Sequence, residues 1–403
     1  MGYVPIILLA AHILSMLGSQ TYAALLPELR GQWGMSNAQA GVVGGMFFAG
    51  YIATVSYWTA LTDRVDGRKI YLAGSLIAAA GGIGFGMLAS GFYSANLFQA
   101  MLGVGVAATY MPGLRILSDR ISGARQSRYI AFYTSFFGIG TALSLAIAGM
   151  VAPLWGWPAA FIVSALGPLA AGALVFLGVD PRKPAREGEA FSWRTLFPVA
   201  AWRRVLAIRA AAGYTLGYFV HCLELFGSRG WMVAFLAFSA GLHAGEPSFP
   251  WQLPAIAALV NLASVPASIV GNEIALRIGR RRWITIAMAA SGSCGILLAL
   301  SAPWFWALVF ALLLVYSMFV MAESATLTAG LVAAAPAELR GAAMGLYSLC
   351  GFAGGMLGPV VFGVALDAAG GAGSHAAWIA GYAAIGAGCL LAPVVVRMNR
   401  SPR

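Results

Sequence analysis

Polar side chains recur along one face of the otherwise apolar stretch 207–240. The members of this face are spaced by three or four residues and are Tyr214, Gly217, His221, Glu224 and Ser228. A carboxylate and an imidazole one helical turn apart, here Glu224 and His221, can share a proton. The spacing therefore predicts a site that binds and releases protons inside an apolar helix.

Two more charged residues lie within apolar stretches. Arg229 follows Glu224 by five residues, roughly 140° around a straight helix, but a helix break at the "GSRG" of 227–230 would let Arg229 turn toward an anionic group. Glu323 has no basic residue within a turn of it, so it must be protonated, paired across helices or in contact with water. The alternative for the first cluster is a structural ion pair of Glu224 with Arg229 or His221.

A second polar face lies in the first apolar stretch, 4–26. His12, Ser15, Ser19 and Tyr22 are spaced by three, four and three residues, with Gln20 beside them. This pattern is typical of a helix that lines a binding cavity, although a lone histidine is more often a packing residue. The tyrosines Tyr133 and Tyr347 are further candidates for a cavity wall.

Composition indicates that these residues are positioned by membrane-spanning helices. Hydrophobic residues make up 60% of the 403, charged residues only 9%, and the mean hydropathy is +0.82. Backbone groups cannot stay unpaired in lipid, so apolar stretches of this length must be helices. Twelve such stretches are predicted, at 4–26, 38–61, 70–90, 95–117, 130–152, 159–179, 207–240, 251–275, 283–301, 305–332, 341–366 and 376–396.

The basic residues predict the orientation of these spans. Most of the 24 Lys and Arg fall in alternate connections and in the C-terminal tail, which places both termini in the cytoplasm of a bacterial-type inner membrane. The net charge of +11 is then a topology signal, and we expect no nucleic-acid partner. The four cysteines have unrelated spacings, which predicts buried apolar residues rather than a disulfide or metal framework.

An internal repeat divides the chain into halves. Gly67-Arg68-Lys69 recurs as Gly279-Arg280-Arg281, Arg125 as Arg340 and Tyr133 as Tyr347, at offsets of 212 to 215 residues. We therefore predict six helices in residues 1–180, a polar cytoplasmic linker at 181–206, and six helices with a short basic tail in 207–403.

The segment "TALTDRVDGRK" resembles the loop signature of the major facilitator superfamily. Leu61, Asp63, Arg64, Gly67, Arg68 and Lys69 match the signature, Thr59 replaces its first glycine, and Asp66 is an extra residue. The resemblance implies the twelve-helix facilitator fold and a cytoplasmic gating latch of Asp63, Arg64, Arg68, Asp119 and Arg115. Arg115 and Asp119, four residues apart, would form an ion pair along one helix that supports the latch. The alternatives are that Arg64, Arg68 and Lys69 only set topology and that Arg115 binds substrate.

Two departures from the family's patterns argue against a proton-driven drug exporter. Gln99 stands where the fourth helix of many exporters carries a buried arginine, and the fifth span has no Gly-Pro-x-x-Gly-Gly pattern.

The expected function is therefore secondary transport of a small polar or anionic organic solute by alternating access, as proton-coupled symport. Glu224, His221 and Glu323 would carry the proton, and the solute would contact Arg229, His12, Gln20, Tyr22, Tyr133 and Tyr347. Efflux of amphipathic compounds is the alternative, and a polytopic membrane enzyme is a remote one. We expect no enzymatic activity, no catalytic residues, no cofactor and no metal, in a monomer that contacts membrane lipid.

Overall fold

The computed structural model describes residues 3–121, 124–184, 196–243 and 249–390, which form helices and turns without any strand. Part of the predicted linker, with Arg186 and Arg194, lies outside these ranges, as does the predicted basic tail with Arg397, Arg400 and Arg403.

Among the described residues, the first helices of the chain range in length from 12 to 55 residues. They are α1 (Val4–Ser15), α2 (Thr21–Gln32), α3 (Asn37–Leu61), α4 (Gly67–Leu88), α5 (Phe92–Ser118) and α6 (Ala124–Gly178).

The remaining helices begin after a polar connection. They are α7 (Val199–Ala207), α8 (Arg209–Gly241), α9 (Leu253–Ile278), α10 (Arg280–Leu300), α11 (Trp306–Ala322), α12 (Ser324–Ala334), α13 (Arg340–Ala368) and α14 (His375–Leu390), with a 3₁₀ turn at Ala337–Leu339.

Eight helical stretches among the described residues are long and apolar enough to cross a bilayer. One of them, Arg128–Gly178, is 51 residues long, and α1 and α14 are shorter apolar helices. The twelve spans and the cytoplasmic position of the termini stay predictions.

The boundaries of four predicted spans differ from the structure. The stretch 4–26 is two helices separated by a turn at 16–20, where the hydroxyls of Ser15 and Ser19 bond backbone carbonyls three residues back. The stretches 130–152 and 159–179 form one run, α6, that is kinked at Gly156 (φ 80°). The stretch 305–332 is interrupted at Glu323, between α11 and α12.

The predicted break at 227–230 is wrong, because α8 runs without interruption from Arg209 to Gly241. Neither Gly227 nor Gly230 has a positive φ, so the backbone stays helical through both glycines. Arg229 is therefore held in a regular helix.

The chain divides into two compact units. Unit 1 comprises Met1–Leu25 and Met46–Phe197, and unit 2 comprises Leu26–Gly45 and Pro198–Arg403. In unit 1, α4 packs on α5 and α6, and α6 also packs on α1; in unit 2, α8 packs on α13, and α10 on α14. The helix α3 begins in unit 2 and ends in unit 1.

Candidate functional site

A buried acid–base pair lies inside unit 2. His221 Nδ1 on α8 lies 3.1 Å from Glu323 Oε1, and the two residues are 1% and 0% exposed. An isolated carboxylate in this environment would be strongly destabilised, whereas a carboxyl that shares a proton with an imidazole is not. The pair can therefore hold a proton away from water.

The series of backbone hydrogen bonds between α11 and α12 is interrupted at Glu323, and side chains from two neighbouring helices replace the missing bonds. The hydroxyl of Ser268 on α9 accepts a hydrogen bond from the Ala325 amide at 3.2 Å. The indole N–H of Trp283 on α10 donates to the Ala322 carbonyl at 3.0 Å. The backbone of α9 also approaches closely, since a Cβ on Gly271 would collide with the Ala322 oxygen. The break is thus a packed feature in which polar backbone groups are satisfied.

Glu224 has partners other than His221. Its Oε2 accepts hydrogen bonds from the Ser291 hydroxyl at 2.7 Å and the Cys389 thiol at 3.0 Å, and the residue is 1% exposed. The expected sharing of a proton between Glu224 and His221 is therefore corrected by the structure: the imidazole bonds the carboxyl of Glu323 instead. A one-turn spacing brings two side chains to one face, but the neighbouring helices decide which groups they meet.

Arg229 is buried in unit 2, with 7% of its surface exposed. Its guanidinium donates to the Met321 sulfur at 3.6 Å, and no carboxylate of the described residues lies within salt-bridge distance of it. The structural ion pair with Glu224, considered above as the alternative, is absent from the described residues. A buried cation with this little compensation is suited to contact an anionic group.

Tyr347 lies on α13 next to the acid–base pair. Its hydroxyl is 3.0 Å from the Thr328 hydroxyl, and its ring stacks on Tyr218 at 3.8 Å. Tyr218 in turn stacks on His221, with 5.7 Å between ring centroids. The tyrosine pair fixes the orientation of the imidazole.

The candidate residues of unit 1 form a second cluster. His12 is 0% exposed and stacks on Tyr133 at 4.2 Å. The Tyr133 hydroxyl donates to the Tyr110 carbonyl at 3.1 Å, and it fits because Gly113 has no side chain there. The backbone N–H of Gln20 donates to the Ser144 hydroxyl at 3.0 Å, and Tyr22 is buried against Phe85. The structure thus brings His12 and Tyr133 together and places Gln20 and Tyr22 elsewhere in the unit.

The residues of the predicted latch lie at the ends of α3, α4 and α5. Arg115 joins two acids, because its Nη2 lies 3.2 Å from Asp63 Oδ1 and its Nε 3.1 Å from Asp119 Oδ1. Arg68 pairs with Asp66 at 2.8 Å and donates to the carbonyls of Phe176 and Val179.

Two further arginines extend this basic–acidic cluster. The Arg64 guanidinium donates to the Ala60 carbonyl, and Arg182 donates to the carbonyl of Asp119. Asp66, which does not match the signature, caps α4 by accepting from the Arg68 amide at 3.0 Å.

A comparison with protein families identifies the family of this chain. The profile described as "Major Facilitator Superfamily" matches residues 8–359 and, again, 215–403. The chain belongs to the Major Facilitator Superfamily. The resemblance inferred from the loop signature is confirmed, and the protein is a membrane transporter of this superfamily.

The relatives of this facilitator are named as transporters of different solutes. The gentisate transporter of Corynebacterium glutamicum is 24% identical over 351 residues, which are 86% of this chain and 77% of that relative. The niacin transporter NiaP of Acinetobacter baylyi is 24% identical over 36% of this chain and 33% of its own. The multidrug resistance protein MdtL of Shewanella oneidensis is 26% identical over 40% of this chain and 39% of its own. The last two matches span less than half of each relative.

A solved structure shows the same fold as this facilitator. The crystal structure of a bacterial homologue of the human lysosomal transporter Spinster, inward-facing and unoccupied, superposes with a TM-score of 0.77 at 15% identity. The match covers 98% of this chain and 95% of that one. At this identity the likeness concerns the fold alone.

Sequence reasoning missed the groups that complete the facilitator's polar clusters. Ser291, Cys389, Trp283 and Ser268 are common residue types in apolar stretches, and no local spacing relates them to Glu224 or Glu323. Asp66 did carry a signal, because an acid directly before a helix is a recognised cap.

Proposed function

We propose that this facilitator is a proton-coupled symporter of a small organic acid, and that His221 and Glu323 carry the coupled proton. The observation that carries the proposal is the burial of the Glu323 carboxyl against the His221 ring at a break in the helix ladder. Ionisable groups inside membrane helices are costly, and they are typical of proton relays. Glu224, one turn from His221, is proposed as a second proton-binding carboxyl.

The anionic character of the solute is supported by two observations. Arg229 presents a buried guanidinium with no carboxylate nearby among the residues that the structure describes. Gentisate and niacin, which two relatives are named for, both carry a carboxyl group on an aromatic ring. An acid that enters with a proton crosses the membrane with its charge compensated.

Alternating access by rocking of two six-helix halves is the proposed mechanism, with both termini in the cytoplasm of a bacterial inner membrane. The Asp63–Arg115–Asp119 bridge, together with Arg64 and Arg68, is proposed as the cytoplasmic latch. Efflux of amphipathic compounds remains the second candidate, favoured by the match to the multidrug resistance protein.

Uptake by reconstituted vesicles tests the proton assignment. Proteoliposomes with an alkaline interior receive labelled gentisate or nicotinate outside, and wild type is compared with Glu323→Gln and His221→Gln. We expect both variants to lose accumulation above the external concentration, because neither amide can exchange a proton. Exchange of labelled for unlabelled solute, which needs no net proton movement, should persist in Glu323→Gln.

Glu338→Gln is the matched control, because Glu338 lies in the exposed 3₁₀ turn after α12. Accumulation by Glu323→Gln at the wild-type level would overturn the proposed proton site. Gradient-driven export of dyes without uptake of any acid would favour the efflux candidate.

A further inference from the structure

An aromatic box surrounds the imidazole of His12 within unit 1. The ring centroid of His12 lies 4.2 Å from that of Tyr133, 5.2 Å from Tyr110 and 6.4 Å from Phe137. The imidazole and Tyr133 are wholly buried, whereas Tyr110 and Phe137 are partly exposed. One side of the box is therefore enclosed, and the other borders accessible space.

The imidazole of His12 has unused hydrogen-bonding capacity. Neither Nδ1 nor Nε2 has a hydrogen-bond partner among the described residues, although the side chain is 0% exposed. Buried polar side chains are almost always paired, and leaving one unpaired destabilises a protein. An imidazole that only fills space needs no ring nitrogens. The two buried, unpaired nitrogens of His12 therefore indicate that a ligand group bonds them.

The internal repeat indicates what kind of group it is. Tyr133 and Tyr347 correspond in the repeat, and each tyrosine hydroxyl bonds a residue of the preceding helix, Tyr110 and Thr328 respectively. Each unit also places a histidine among these aromatic rings, His12 of α1 in unit 1 and His221 of α8 in unit 2.

The two histidines differ in their partners. In unit 2 the imidazole of His221 meets the carboxyl of Glu323 at 3.1 Å, and in unit 1 no carboxylate of the described residues lies within 4.0 Å of the imidazole of His12.

We propose that the aromatic box around His12 binds an aromatic acid. The carboxyl group of this acid meets the His12 imidazole as the Glu323 carboxyl meets the His221 imidazole in unit 2. The inference rests on the proposed function and narrows its solute class. A ring N–H of His12 donates to a carboxylate oxygen, and the aromatic ring of the acid stacks on the accessible faces of Tyr110 and Phe137. Tyr133 holds the imidazole in place from the buried side.

Binding of matched acids and amides tests the box directly. Full-length protein in lipid nanodiscs is titrated calorimetrically with benzoate and nicotinate, and with the neutral analogues benzamide and nicotinamide. We expect the acids to bind and the amides to bind at least about tenfold more weakly, since the hydrogen bond to a charged acceptor is lost. His12→Phe keeps an aromatic ring but loses both nitrogens, so the Kd for the acids should rise at least about tenfold.

His12→Gln and His243→Gln are the companion variants. Glutamine retains an N–H donor, so His12→Gln should recover part of the affinity. His243 follows α8 and bonds the backbone carbonyls of Ser239 and Pro303, so His243→Gln should leave acid binding unchanged. If His12→Phe does not fold, wild-type protein with ¹⁵N-labelled histidine serves instead. Benzoate should then shift the imidazole resonances that are missing from His12→Gln.

Three results would overturn the inference: wild type that binds no aromatic acid, wild type that binds amides as tightly as acids, or unchanged acid affinity in His12→Phe. No shift of the His12 resonances with saturating benzoate would overturn it as well. The proposed function is separable, because Glu323→Gln should keep acid binding while it loses gradient-driven accumulation. If acid binding does not depend on His12 but Glu323→Gln still loses gradient-driven accumulation, the proposed role of Glu323 in proton transport is unaffected.

Discussion

A single hydroxyl shows how a buried carboxyl can change protonation without moving its neighbours. Ser291 Oγ lies 2.7 Å from Glu224 Oε2 and 3.0 Å from the Met288 carbonyl, but it has one proton to donate. When Glu224 is ionised, the hydroxyl donates to the carboxylate. When Glu224 is protonated, the carboxyl can donate to Ser291 and the serine proton turns to Met288.

The first prediction concerns this serine. Ser291→Ala removes a donor to the ionised form of Glu224, so the protonated form is favoured. We expect the pH of half-maximal uptake to move upward by about one pH unit, because a hydrogen bond to a charged group contributes about 1.5–3 kcal/mol and part of it is replaced. The pH profile of gentisate or nicotinate uptake measures the shift.

Ser301→Ala is the matched control, since Ser301 donates to the Leu298 carbonyl in the same way but bonds no carboxyl group in the part of the chain that the structure describes. Equal pH profiles for the two alanine variants would show that Glu224 does not titrate during transport.

At the scale of the secondary structure, the interruption between α11 and α12 determines where Glu323 lies. In an unbroken helix the Ala325 amide would bond the Met321 carbonyl, and the Ala322 carbonyl would accept from Thr326. In the structure the Ala325 amide donates to the Ser268 hydroxyl instead, and the Ala322 carbonyl accepts from the Trp283 indole. The geometry of the acid–base pair therefore depends on residues of α9 and α10 that hold the backbone on either side of Glu323.

The second prediction tests this dependence. Trp283→Phe keeps the ring but leaves the buried Ala322 carbonyl without its donor, which should lower stability by about 1–3 kcal/mol. We expect proton-driven accumulation to fall more than solute exchange, because the position of Glu323 is disturbed. Thermal unfolding and the two vesicle assays measure both effects.

Trp306→Phe, at the start of α11 and so at the opposite end of this helix from the break, provides the comparison. If Trp283→Phe lowers accumulation and exchange equally, the indole is a structural residue only.

At the scale of the whole molecule, one helix contributes to both compact units. The first turn of α3 is held by Asp367 at the end of α13, whose carboxylate accepts from the Asn37 amide at 3.1 Å, the Asn37 side chain at 2.7 Å and the Ala38 amide at 2.8 Å. The two backbone amides are donors at a helix N-terminus that would otherwise lack partners. The contact joins residues 330 positions apart inside unit 2.

The third prediction separates the chain at the unit boundary. Fragments 1–197 and 198–403 are co-expressed, and the second is purified by a tag. We expect the first fragment to co-purify and the pair to regain uptake. Asp367→Ala should reduce the recovered first fragment, because capping interactions contribute about 0.5–2 kcal/mol.

Glu338→Ala in the same fragment removes an acid from the exposed 3₁₀ turn and should leave recovery unchanged. Equal recovery with Asp367→Ala would mean that the cap does not hold the fragments together.

The sequence by itself determined the membrane-spanning helical class, the superfamily and the candidate polar faces. These follow from local properties: the length of apolar stretches, the spacing of residues along a helix, and a short loop signature. It also indicated the Arg115–Asp119 pair, which lies four residues apart on one helix and is present at 3.1 Å.

Only the tertiary structure decided which groups the buried polar residues meet. The partner of His221 is Glu323, 102 positions away, and those of Glu224 are Ser291 and Cys389 on two other helices. Hydrogen bonds act over about 3 Å, so their partners depend on the rotation and separation of packed helices, which no local spacing encodes. The same packing left the imidazole of His12 among aromatic rings, with its two nitrogens available for a ligand.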